Sequence, residues 1–176
     1  GDLDAVARWT EALLLAAPTI ERWRAARRAF EARGEGGWEG ARARLLHALE
    51  RSAHRVAVEA LLDEGDLARA LALVDPEPTV DASGAPVPAG MKLRVAEAAE
   101  RAHPREAMGI WKGHVRDLIA SGRRTRYREA AVTARRVCAL YDAMNEAASG
   151  QRWVAELRES HGRLRALREE LAAAGL

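Results

Sequence analysis

The chain has 176 residues, 48% apolar, 31% charged and only 5% aromatic, with a formal net charge of +2. That length suits one domain with its own core, and the charge is too slight for a chain that is basic throughout. Cys138 is the sole cysteine, which excludes an internal disulfide and a cysteine zinc cage within this chain. No run approaches the ~20 apolar residues needed to cross a membrane, and no secretory signal opens the chain, so a cytoplasmic setting is expected. The first residue is Gly1 rather than methionine, and the chain is expected to be part of a larger protein.

Alanine and leucine dominate, while β-branched and aromatic runs are almost absent, so helix is predicted nearly everywhere outside the Gly/Pro stretches. Leu3, Val6, Leu13 and Ala17 predict the buried stripe of a first helix that stops before Pro18. Pro18 suits the start of a second, with Ile20, Trp23, Ala26 and Phe30 inward, ended by Gly34, Gly36 and Gly37. A third segment carries Trp38, Ala41, Leu45 and Leu49; it either breaks near Ser52 or runs on through Val58, Leu61 and Leu62. Gly65 then predicts a left-handed helix end and Asp66 the cap of a short helix that Pro76 and Pro78 stop. Residues 75–90, with four prolines and two glycines, read as a mobile loop or hinge.

Helix resumes near Met91, with Leu93 and Val95, and stops around His103. Pro104 begins a helix bearing Ala107, Ile110, Trp111, Val115 and Leu118. After Ser121-Gly122 comes one with Tyr127, Ala130, Ala131, Ala134, Val137, Cys138, Tyr141 and Met144 inward. Ser149-Gly150 is expected to separate it from a last long helix with Trp153, Leu157, Leu164, Leu167 and Leu171 at near-heptad spacing. Short turns between helices make antiparallel hairpins. The expected fold is one all-α domain over residues 1–176: an irregular α-solenoid of about eight or nine helices, tetratricopeptide-like but unevenly spaced.

Motifs that carry chemistry are sparse. His47 and His54 lie two helical turns apart with Glu50 between them, and no His-Glu-x-x-His, Asp-x-Asp loop or paired cysteine accompanies the five histidines. No serine sits in a nucleophile elbow, and neither Lys92 nor Lys112 follows a glycine run that would cradle phosphate. No cofactor or metal is expected. One uneven charge distribution stands out. Arg116, Arg123, Arg124, Arg126, Arg128, Arg135 and Arg136 face only Asp117 and Glu129 around one turn. Such a cluster reads as a solvated face, as a surface for an acidic protein, or as a grip on nucleic-acid phosphates. Trp23, Trp38, Trp111 and Trp153 fall on apolar stripes; Trp9 lies beside its stripe and is the candidate partner-facing aromatic.

Four motifs in order, LRVAEAAE at 93–100, HPREAM at 103–108, YREAA at 127–131 and WVAELRESHGRLRALREELAAAGL at 153–176, carry a family resemblance. Together with the run from Glu64 they resemble the C-terminal helical region of bacterial SWIM-type zinc-finger proteins. That resemblance implies an accessory, tetratricopeptide-like helical module. The family's zinc site lies in a separate Cys-x-Cys…Cys-x-His element that this chain lacks, so zinc does not carry over. The expected function is a non-catalytic protein-interaction or scaffolding module. Its alternatives are nucleic-acid binding through the arginines and an enzyme with a dispersed site.

Overall fold

The computed structural model describes residues 2–74 and 87–176. Among them every regular element is a helix: α1 (Leu3–Ala16), α2 (Ile20–Glu31), α3 (Gly37–Ser52), α4 (His54–Glu64), α5 (Leu67–Val74), α6 (Ala89–Ala99), α7 (Pro104–Ala120), α8 (Arg124–Ala143), α9 (Ala147–Ser160) and α10 (Arg165–Ala173). The protein is all-α, as its composition predicts. The loop expected at 75–90, with Pro76 and Pro78, lies outside the described residues over 75–86, and Ala89 and Gly90 already belong to α6. The helices fall into two compact units, Gly1–Met91 and Lys92–Leu176.

In the first unit the helix starts are written locally. Asp2 accepts from the Ala5 amide at 3.0 Å and Thr19 from the Arg22 amide at 3.3 Å, satisfying amide groups that a helix start leaves open. The aromatic core follows from α2 and α3: Trp23, wholly buried, meets the edge of Trp38 with centroids 4.9 Å apart. The stripe expected on α1 is corrected. Ala7 and Leu14 face the core, while Leu3 and Val6 are exposed. The sequence of α1 is apolar on several sides, so periodicity alone does not select its buried face.

Between α2 and α3 the chain turns through Gly34 (φ 102°) and Gly36 (φ 79°), both left-handed. A Cβ on Gly37 would lie 2.5 Å from the Phe30 carbonyl oxygen, so only glycine fits there. The long third segment does break after Ser52, at Ala53 (φ −151°). His54, buried just beyond, places Nε2 2.9 Å from the Leu73 carbonyl oxygen and ties α4 to α5.

Gly65 takes the left-handed conformation (φ 73°) and Asp66 accepts from the Arg69 amide at 3.3 Å, as the sequence predicts. Arg42, from α3, clamps this turn. Its Nε lies 2.6 Å from Glu64 Oε2 and its Nη2 2.8 Å from Asp66 Oδ2. That hydrogen bond holds the Asp66 carboxyl below its ordinary range, over a smaller opposing effect of burial.

The second unit is organised on α8. Its buried row Tyr127, Ala130, Ala131, Ala134 and Val137 packs on α7 and α10, and Leu157, Leu167 and Leu171 complete the cluster. Two further expectations are corrected. The α8–α9 turn is made by Asn145, the one non-glycine residue with positive φ (59°) among those described, and not by Ser149-Gly150. Gly150 instead lies inside α9, where a Cβ would stand 3.2 Å from Tyr141. The last long helix is in fact two, α9 and α10, interrupted at 161–164. Gly162 sits in that interruption, although the leucine spacing runs across it.

Basic side chains stitch this unit together over aromatic rings. Lys112 Nζ donates to the Tyr141 hydroxyl at 2.6 Å and lies 4.8 Å from the Tyr141 ring and 5.5 Å from Trp153, joining α7, α8 and α9. Arg136 stacks 4.3 Å above Trp111, pairs with Glu97 at 3.1 Å and bonds Glu100, joining α6, α7 and α8.

Two outcomes follow for the first unit. Gly37→Ala is expected to cost about 1–3 kcal/mol through the clash, whereas Gly40→Ala, with open space around it, should be neutral or gain up to about 1 kcal/mol of helix propensity; urea unfolding checks both. A carboxyl with a lowered folded pKa adds stability above its unfolded pKa and loses it as pH falls through the folded one. Asp66→Asn should therefore lower the melting temperature at neutral pH, by a margin that shrinks as pH falls below the ordinary carboxylate range, as read by thermal circular dichroism.

Candidate interaction surfaces

The seven arginines singled out in the sequence do not form one surface. Arg136 is consumed by Trp111, Glu97 and Glu100. Arg126 pairs with Glu129 at 2.7 Å, one turn along α8, and Arg124 reaches Glu169 of α10 loosely at 3.8 Å. Arg116, on α7, and Arg123, just before α8, are exposed. Arg128 and Arg135 are exposed on α8, and neither has a carboxylate partner among the described residues.

Helical geometry sorts what is left. At 3.6 residues per turn Arg124, Arg128, Val132 and Arg135 fall within about 80° of arc, along the flank of the alanine row that Ala131 edges. Val132 is 62% exposed in the middle of them. Next to Arg135 a groove of about 540 Å³ runs between α8 and the end of α10, walled by Cys138, Ala139, Ala173, Ala174 and Leu176, with Asp142 beyond. Burial pushes the Cys138 thiol up from its ordinary pKa, with Asp142 adding to the effect, so it stays protonated near neutral pH.

In the first unit Trp9 is 64% exposed, and Val6, one turn before it, is 50% exposed. The exposed Ala5, Ala12 and Ala16 extend this face along α1. Sequence periodicity singled out Trp9 but assigned Val6 to the core. A cleft of about 850 Å³ lies beside the start of α1, and its basic groups are already engaged: Arg33 with Asp4 at 2.6 Å, Arg44 with Glu11.

The histidines are dispersed. His47 is exposed, His54 serves the α4–α5 contact, His103 Nδ1 lies 4.0 Å from Glu106, and His114 Nε2 lies 3.7 Å from Glu129. Among the described residues no group of three His, Cys, Asp or Glu side chains is placed to hold a metal ion, and no helix is long and apolar enough to cross a membrane. No protein-family model matches the chain, and no match was found among curated proteins or solved structures.

The residue missed by sequence reading is Val132. Its signal is a β-branched side chain on the outward face of an otherwise alanine- and arginine-rich helix, where it gains nothing from burial and costs helix propensity. The division of the arginines is testable. Arg136→Lys should cost about 1 kcal/mol or more, because an ammonium group replaces neither the planar stacking nor the forked hydrogen bonding. Arg128→Lys should stay within about 0.5 kcal/mol of the parent, both measured by chemical denaturation.

Proposed function

We propose that this chain is a non-catalytic, cytoplasmic protein-interaction or scaffolding module. The observation that carries this reading is the apolar face of α1, where Val6 and Trp9 stand in solvent although the same helix buries Ala7 and Leu14. Exposed aromatic and aliphatic side chains grouped on one helix face mark contact surfaces more often than isolated ones do. The order of its motifs makes an accessory region beside a SWIM-type zinc finger the proposed context. Nucleic-acid binding is the weaker reading, because Arg126 and Arg136 are engaged by carboxylates and Arg124 partly so. What remains is a short stripe with an apolar centre rather than a basic face.

The test is a pull-down from the source organism with the parent chain and with Val6→Asp/Trp9→Ala, followed by affinity measurement on the purified captured protein. One protein should be held by the parent and bound about tenfold or more weakly by the variant. Identical capture by both, with circular dichroism unchanged, would remove the α1 face from the reading.

A further inference from the structure

We infer that the outer face of α8 docks an acidic amphipathic helix of a partner protein, with Arg128 and Arg135 gripping its carboxylates and Val132 seating its apolar side chain. This inference rests on the reading of the chain as an interaction module, but it concerns a different unit and a different surface from α1.

Three observations converge. First, Arg128 and Arg135 are exposed without carboxylate partners among the described residues, while Arg126, on the same helix, is matched by Glu129 at 2.7 Å. Unmatched guanidinium groups held at fixed spacing on a helix are poised for carboxylates from outside. Second, the spacing suits a helix. Arg124 and Arg128 are one turn apart and Arg135 two turns further, spanning about 16 Å, the intervals at which an opposing helix repeats its own side chains. Third, Val132 is exposed at the centre, and the groove beside Arg135 is walled by Cys138, Ala139, Ala173 and Ala174. An apolar centre rimmed by charge is the anatomy of a protein contact.

The same features argue against a polynucleotide. A phosphate backbone wants a longer run of cations and aromatic platforms for stacking. Here Val132 lies between Arg128 and Arg135 along the helix, and Tyr127, the one aromatic residue within the cluster, is buried.

The experiment uses the full chain and a fluorescently labelled peptide of about 15 residues, with glutamates one and two helical turns from a central leucine. Fluorescence anisotropy should show saturable binding that weakens with added salt. Arg128→Glu/Arg135→Glu and, separately, Val132→Asp should each weaken it about tenfold or more. All three positions are exposed, and circular dichroism confirms that the variants keep their helices. No saturable binding below about 1 mM overturns the proposal. So does equal binding of a peptide with glutamine in place of the leucine, which would mean polyanion capture alone. Tighter binding of a single-stranded oligonucleotide of equal charge overturns it in favour of nucleic acid. The α1 variant Val6→Asp/Trp9→Ala should bind the peptide like the parent, so the two surfaces fail or stand separately.

Discussion

Alanine at helix contacts sets how these units are built. On α8, Ala130, Ala131 and Ala134 are all but completely buried, and Ala7, Ala26, Ala41, Ala57, Ala60 and Ala70 play the same part in the first unit. With only a methyl group at the contact, two helix backbones approach closely, but each contact removes little apolar surface from water. Most of the burial is therefore left to a few large residues. Trp23 and Trp38 supply it in the first unit, Trp111, Tyr127 and the leucines of α9 and α10 in the second. Alanine seams also lack the knobs that fix helix register. Arg42, Arg136 and Lys112 supply that registration instead, each tying together elements that alanine alone would let slide.

This arrangement explains why aromatic rings and cations meet so often in a chain poor in both aromatics and lysine. Trp111 is buried with its Nε1 unpaired among the described residues, a cost that its contact with Arg136 helps to offset. Lys112, one of two lysines, is spent between Tyr141 and Trp153. Positive charge in the second unit thus divides into structural and outward-facing parts, and only the outward part is available to a partner.

Much of the fold was legible because its punctuation is local. Gly65-Asp66 and Pro104 act through their own backbone preferences, and the structure places helix boundaries where they stand. Reading failed where the deciding contact is distant or the pattern degenerate. Two apolar faces compete on α1, and packing against α2 and α3 chooses between them. The leucine spacing after Trp153 continues through the interruption between α9 and α10, so periodicity alone reports one helix. Asn145 can adopt left-handed geometry but does not advertise it as glycine does. The arginine cluster was visible as composition. Its division was not, since the carboxylates that engage Arg136 lie in and just after α6, far away in sequence.

The thiol of Cys138 has a use that its chemistry does not suggest at first. It is the chain's only sulfhydryl, sits half-buried on the wall of the α8–α10 groove, and is pushed further above its ordinary pKa by burial and Asp142. Alkylation there is expected to be slower than at an open thiol, at a rate set by how often reagent reaches the wall. Any occupant of the groove shields that sulfur. The half-time of its alkylation by an added thiol reagent therefore registers occupancy of this surface.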